Sequence, residues 1–542
     1  MRLLDCLAKQ GALGELEQLQ RDLQIAAIKT KHGKELLVVM RETTEDKRFD
    51  AILEDEFRGI PDDLGKELYL LVCAFYQHGA YLRDTLLSDL LNCSLSELYA
   101  RTAAATEGVV IFESLDQIAG TFIARARHRL IATVVWERCG ELSDKERFLQ
   151  DAISALNLNY GTDKEAFEQF IRSDRTVDAI RTLDGKIRFF ETACQKDPQS
   201  SYVRQHYARM LSREGKLELA LSQIDEAIRI NANIRVLHHT RGWVLHQMAM
   251  NTPSTDLARR RLAQSEDSYR QCLSIYERDE YAYQGLARVY LDWARRVEGA
   301  EAAEYISKSE EVISEGLRKV RVRDGLWIAS SDVENLLGNK PAHLQALEKA
   351  VSETPGSVIA RYLLGRRYRK TGEHQKAVGV LLPVIKNHPD EFRSCIEYGL
   401  SLLELGESYD KAIAVLNLST LYGLSDPRFI ATLGGMYFMK GDFTEADKIF
   451  RETIKREISR AESSITHFIP RDPQDRARPV RVEGIVSEVR TGFAFVISAA
   501  YPRLFCPGSK FSGVKMRRGL RISFEIGFSA RGPIADKVRS LQ

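Results

Sequence analysis

The eight cysteines of this 542-residue chain are scattered, with no Cys-x-x-Cys and no close pair. That spacing excludes a disulfide framework and a structural zinc site, and it suits a reducing compartment. The eleven histidines are dispersed as well; His238-His239 is a lone pair on a predicted helix. There is no Gly-x-Ser-x-Gly and no Cys–His pair with local support. No Gly-x-x-x-x-Gly-Lys-Ser/Thr occurs. The nearest fragment, Leu183-Asp184-Gly185-Lys186-Ile187, lacks the first glycine and the hydroxyl residue. Without that loop of amides and its lysine, phosphates have no cradle. No apolar run approaches the roughly 18 residues of a membrane span. Met1-Arg2-Leu3-Leu4-Asp5 places an acid inside its apolar stretch, unlike a signal peptide. These absences predict a non-enzymatic cytoplasmic protein with no cofactor, no metal and no membrane partner. Charge of one sign is lacking too, with 78 Lys and Arg against 76 Asp and Glu. The balance is uneven along the chain, however. Residues 470–542 hold fourteen basic against six acidic residues, a local excess that points to an acidic partner.

What is present is a repeat. Leu364-Gly365-Arg366-Arg367-Tyr368 and Leu433-Gly434-Gly435-Met436-Tyr437 stand sixty-nine residues apart, two units of thirty-four plus one. At the same distance each is followed by a small and then a bulky residue, Ala377 with Leu381 and Ala446 with Phe450. This is the tetratricopeptide (TPR) pattern of paired helices. One repeat runs from Val358 to Pro389, where proline stops the second helix. The next, about Phe392 to Ser425, carries Gly399, Ala412 and Leu416; the last regular one starts near Pro427. Upstream, Trp327 and Pro355 bracket a repeat with Leu347 and Ala350. Before it, Gly242-Trp243 and Ala287-x-x-Tyr290 mark first helices, and Tyr269 and Ile313 anchor second helices. These two units are longer, with about ten extra residues expected between their helices. Ser201 to Ala232, with Ala220 and Ile224, opens an array of about seven pairs.

Stacked pairs present a concave surface lined by first helices, and that surface binds partners. Tyr368, Tyr437, Trp327 and the small residues read as packing. The first-helix residues expected to face the groove are Tyr362, Arg366, Arg369 and Lys370, joined by Arg393 and by Arg209 and Arg213 of the first unit. Guanidinium forks suit carboxylates and phosphates, so an acidic peptide is the expected partner. A solvated helix face is the alternative.

In the N-terminal quarter, Leu68, Leu71, Val72 and Phe75 make Glu67–Ala80 an amphipathic helix. Short helices follow at 84–91 and from Ser94, where Ser94-Leu95-Ser96-Glu97 is a candidate capping box. Gly108–Glu113 and Gly120–Ala124 then read as a β-hairpin and 128–138 as a helix, a winged-helix order. The expected recognition helix, 97–106, has one basic residue, Arg101, too few for DNA binding dominated by phosphate contacts. The segments Phe49–Phe57, Leu68–Val72 and Ala126–Ala132 resemble the region that follows the ATPase core in STAND NTPases, signal-transducing P-loop ATPases common in bacterial immunity. That resemblance covers roughly residues 35–140 and implies the order ATPase, winged helix, repeat sensor. It makes His128, within Arg127-His128-Arg129, the counterpart of a nucleotide-contacting Met-His-Asp motif, with Arg129 where the family has an acid. Because the P-loop is missing, an ATPase or effector is expected on a partner or on a further segment.

After Ala461 the composition shifts. Pro470, Pro473 and Pro479 among arginines and aspartates predict a polar linker. Five short strands follow, near 480–486, 492–497, 504–506, 521–526 and 534–538, which fits a small OB-type barrel. Gly492-Phe493-Ala494-Phe495-Val496, Leu504-Phe505-Cys506-Pro507, Gly519–Glu525 and Gly532–Val538 resemble a cold-shock domain. In that family aromatic residues on the second and third strands stack on single-stranded bases. The resemblance implies that Phe493, Phe495 and Phe505 stack bases; beside them Arg481, Arg490, Lys510, Lys515, Arg517 and Arg518 are the candidates to hold phosphates. Pro507 stands where the family has a histidine, and the first-strand tryptophan is missing. Taken singly, each phenylalanine reads equally as core.

The expected fold is mainly α. A helical ATPase-like tail (1–65), a winged-helix-like domain (66–140) and a helical connector (141–200) precede a TPR α-solenoid (201–460). A linker (461–479) and an OB/cold-shock-like barrel (480–542) complete it. Two functions follow: a sensor scaffold binding a protein in a STAND-like signalling or antiphage defence system, or an adaptor holding single-stranded RNA or DNA on its barrel.

Overall fold

The computed structural model describes residues 20, 21, 23, 24, 49–106, 108–116, 120–388, 391–455, 458–476, 478–511 and 515–541. The other residues before 49 in the expected 1–65 tail, Pro389 and the Arg101 side chain lie outside them. The chain divides into two units, one of residues 47–355 and the other of residues 1–46 with 356–542.

The 47–355 unit begins with helices Phe49–Gly59 and Asp63–Tyr76. Strand β1 (Leu82–Arg83), helices Asp84–Leu90 and Leu95–Ala105, strands β2 (Val110–Asp116) and β3 (Thr121–Ala126) and helix Arg129–Arg138 follow. The strands form an antiparallel sheet in the order β1-β3-β2. The Asp63–Tyr76 helix is more enclosed than its amphipathic pattern predicts. Every residue from Leu68 to Phe75 is buried, so neighbours cover all of its faces. Ser94 accepts the Glu97 amide at 3.1 Å, the first half of a capping box. Helices Leu142–Ala155, Gly161–Arg172, Asp174–Asp178 and Leu183–Lys196 connect this part to four helix pairs.

Those pairs are Ser201–Arg213 with Leu217–Ile230, Arg235–Asn251 with Thr255–Ile275, Glu280–Ala294 with Gly299–Lys319, and Asp324–Leu336 with Lys340–Glu353. The extra residues of the second and third pairs do not form loops. They lengthen the helices, to 17 and 21 residues in one pair and to 15 and 21 in the other. No proline or glycine interrupts the 255–275 stretch, and Ser254 caps its start, so the helix runs on. Tyr269 packs where a side chain on Gly242 would clash with its ring, which explains the glycine of that first helix.

The N-termini of helices Glu280–Ala294 and Asp324–Leu336 bring two carboxylates together. The Glu280 carboxyl accepts the Gly325 amide at 3.1 Å. Burial, then the Asp324 charge, pushes its pKa up to about 7. A carboxyl raised in the folded state favours folding when protonated. Its contribution is complete below the unfolded value near 4.5 and is lost as pH rises to about 7. Glu280→Gln is therefore expected to flatten the fall in thermal midpoint between pH 5 and 8. Parallel wild-type and variant melting profiles across that range would refute this.

The second unit holds three pairs: Val358–Lys370 with His374–Asn387, Phe392–Glu404 with Tyr409–Asn417, and Pro427–Lys440 with Phe443–Lys455. A Cβ on Gly365, Gly399 or Gly434 would fall within 2.5–2.6 Å of Leu381, Leu416 or Phe450. Glycine at these sites lets each first helix approach the bulky anchor of its second helix. Leu23 is buried among Leu381, Ile385, Tyr398 and Leu402, so residues near the start of the chain pack on these repeats.

Strands β4 (Arg481–Arg490), β5 (Phe493–Ile497), β6 (Leu504–Pro507), β7 (Arg521–Ser529) and β8 (Gly532–Ser540) close into a barrel in the order β4-β5-β6-β8-β7. β6 pairs parallel to β8 and the other neighbours are antiparallel. The stretch expected as a linker is packed rather than free. Phe468 is buried and bridges to Phe528 of β7, Arg471 pairs with Pro479, and Arg476 donates to the Glu404 carbonyl. Phe438 and Phe450 of the last helix pair also meet Phe528, and Thr453 donates to the Ala530 carbonyl. Barrel and last repeat thus share one hydrophobic core.

Candidate functional site

Two surfaces of the second unit carry the expected binding residues. On the first helices of its repeats, three arginines surround a single carboxylate, with Lys370 nearby. Glu397, on the Phe392–Glu404 helix, has a fully buried side chain. It accepts from Arg369 at 2.5 Å and from Arg428 at 2.6 Å. Burial alone would raise its pKa, but the Arg369 and Arg428 charges outweigh that and hold it below the usual carboxylate range. Arg366 stands further off, with Nε 3.7 Å from Glu397 and without a hydrogen bond there. Lys370 is exposed and has no ion pair among the described residues. The Arg366 charge, then partial burial, lowers its pKa.

The expected groove residues therefore play different parts. Arg366 and Arg369 lie 3.7 and 2.5 Å from Glu397, and Lys370 is exposed one turn beyond Arg366. Tyr362 is a correction: it is buried, with the Arg393 guanidinium 5.1 Å from its ring centroid, so it supports the surface from beneath. Arg393 is itself engaged by Glu391 through two bonds of 2.6 and 2.8 Å. Arg209 and Arg213 belong to the other unit, where Asp174 and Asp178 neutralise them at 3.3–3.9 Å. Sequence reasoning missed Glu397 and Arg428. The available signal was an acid directly before the Tyr398-Gly399 packing pair, where the first helix turns toward its neighbours.

The second surface lies on the barrel. Along β5 and β6 burial alternates: Ala494, Val496, Leu504 and Cys506 face the core, while Phe493, Phe495 and Phe505 face outward. The three rings touch, with centroids 5.4–6.1 Å apart. None of the three is fully buried: Phe493 and Phe495 are half-buried and Phe505 is exposed. Cross-strand register places Arg490 opposite Phe493, Glu488 opposite Phe495 and Pro507 opposite Phe493. Arg503, absent from the expected set, lays its guanidinium 3.5 Å from the Phe495 centroid. Glu488 holds both Arg503 and Arg490 at 2.5 Å. Lys515, Arg517 and Arg518 are exposed and carry no ion pair among the described residues. Lys510 is tied to Asp536 at 3.1 Å and Arg481 donates to the Lys537 carbonyl, so these two are less available.

His128 caps the Arg129–Arg138 helix, its Nδ1 accepting the Leu130 amide at 3.2 Å. Its neighbours Arg127 and Arg129 bond Glu56 and the Gln77 carbonyl. Among the described residues no group of His, Cys, Asp or Glu is arranged to hold a metal ion. Nor is any helix of the described residues long and apolar enough to cross a membrane.

The fold and these surfaces define a helix-pair repeat protein carrying a closed five-stranded barrel. No family model and no curated protein matches the sequence. Among solved structures, a TPR protein of Thermus thermophilus is similar at 16% identity over 38% of this chain and 100% of its own, with a TM-score of 0.30. A tetratricopeptide repeat protein of Parabacteroides merdae covers 52% of this chain and 98% of its own, at 14% identity and a TM-score of 0.29. A STAND protein with a tetratricopeptide repeat sensor from Pyrococcus horikoshii spans 80% of this chain and 72% of its own, at 14% identity and a TM-score of 0.30.

Proposed function

We propose that the chain is a non-catalytic scaffold that captures an acidic polypeptide on the first helices of its 358–455 repeats. The observation that supports this is the charge imbalance around Glu397: Arg366, Arg369, Lys370 and Arg428 face one internal carboxylate. In this reading the scaffold is the sensor or regulatory part of a STAND-like signalling or antiphage defence system. Residues 66–140 act as a winged-helix module that relays occupancy to a P-loop ATPase or effector. Arg366→Glu combined with Lys370→Glu is expected to cut capture of an acidic partner by tenfold or more, about 1.4 kcal/mol at least. Both side chains reach solvent, and a thermal melt of the variant checks that the fold is kept. Undiminished capture would move the site off this surface.

A second reading is favoured by the outward phenylalanines. We read the closed five-stranded barrel as OB-type, and the aromatic strand pair with its basic flank suits single-stranded RNA or DNA. In this reading Phe493, Phe495 and Phe505 stack bases in the manner of a cold-shock domain, and Arg503, Lys515, Arg517 and Arg518 meet phosphates. The two readings occupy different surfaces and are compatible in one protein.

A further inference from the structure

The charge imbalance on the first helices has a definite size. Glu397 accepts hydrogen bonds from two guanidinium groups, those of Arg369 and Arg428, and its one charge against the four cations leaves an excess of three. Arg366 and Lys370 are left over. They are four residues apart on one helix and so are neighbours on its surface. Neither has a carboxylate at hydrogen-bonding distance among the described residues. Like charges held side by side repel, and a bound anion relieves that repulsion.

We propose that Arg366 and Lys370 form a subsite for a phosphate monoester carried by the partner polypeptide: a phosphorylated serine, threonine or tyrosine. The inference rests on the reading that this surface binds a polypeptide. Its ground is charge matching. A phosphorylated side chain carries about −1.5 to −2 at neutral pH and so offsets more of that excess than a carboxylate, which carries one charge. Guanidinium presents a planar fork that phosphate oxygens accept in two parallel bonds, and ammonium adds a mobile point charge. A phosphodiester of a nucleic-acid backbone has a single charge and matches less well.

The test uses the full chain and four probes: an alanine-rich peptide with one phosphoserine, the same peptide with glutamate or with serine, and adenosine monophosphate. The phosphoserine peptide is expected to bind at least tenfold more tightly than the glutamate peptide. That preference should shrink as pH falls through about 6, where the second phosphate proton is taken up. Arg366→Ala with Lys370→Ala should abolish the preference, and Lys411→Ala, on an exposed pair elsewhere, should not. Equal binding of the phosphoserine and glutamate peptides would overturn the proposal, as would a preference that survives the double substitution. Adenosine monophosphate binding as tightly as the phosphopeptide would overturn the polypeptide source. Phosphatase treatment separates this inference from the reading beneath it. A cellular partner lost by the double variant but kept after dephosphorylation leaves the groove reading standing and the phosphate claim refuted.

Discussion

Replacing Phe493 and Phe505 together with alanine should weaken binding of a single-stranded oligonucleotide by about 30-fold or more. Stacking of one base on one ring contributes about 1–3 kcal/mol, so two rings account for about 2–6 kcal/mol. The barrel should survive the change. Both rings lie outside a core made by Ala494, Val496, Leu504 and Cys506, so truncation opens no cavity. Fluorescence anisotropy with a labelled oligonucleotide, beside a thermal melt of each variant, separates lost binding from lost fold. Arg503→Ala should give a smaller loss because it removes a cation from the Phe495 ring but leaves the ring in place. An unchanged affinity in a folded double phenylalanine variant would end the nucleic-acid reading.

The second large effect concerns stability. Glu397→Gln removes the charge that two arginines require in a buried site. Breaking one partner of a buried pair costs about 3–5 kcal/mol, because the other charges are left uncompensated. By contrast, Glu407→Gln at the exposed Glu407–Lys411 pair should cost about 1 kcal/mol or less. Chemical denaturation of the two variants should therefore give clearly different midpoints, and similar midpoints would contradict the buried-pair account. The pH dependence has a fixed sign. The Glu397 pKa is depressed in the folded state. Its stabilisation is present above the unfolded carboxylate range and is lost as pH falls through the folded value. The opposite holds for Glu280, whose pKa is raised to about 7, so the two variants should flatten the stability profile at opposite ends.

The helix pairs were legible because each depends on a local rule. A glycine on the first helix meets a bulky anchor on the second, as Gly365 meets Leu381. The same rule marks only contact points. It therefore misplaced the extra residues of the 235–319 pairs, which extend the helices beyond their contacts. The barrel strands were legible from alternation. Alternation puts Phe493 and Phe495 on one face but does not say which face is core; Ala494 and Val496 fill the interior only once the barrel closes. Prolines and charges between 470 and 479 concealed a packed segment, because Phe468 precedes them and its partner Phe528 lies sixty residues on. Arg428 and Glu397 were invisible as a pair for a similar reason. Their contact joins two repeats, and a charged residue on a predicted helix reads as solvated until the neighbouring helix is placed.

On the function proposed above, the chain holds partners rather than carrying out chemistry, and the surface around Glu397 holds a polypeptide. The most direct test is capture by the tagged full chain from its native cells, with and without nuclease, beside the Arg366→Glu/Lys370→Glu and Phe493→Ala/Phe505→Ala variants. A protein partner that survives nuclease, is lost with the charge-reversed variant and is kept by the phenylalanine variant is the expected result. A set of bound proteins identical for wild type and the charge-reversed variant would contradict it.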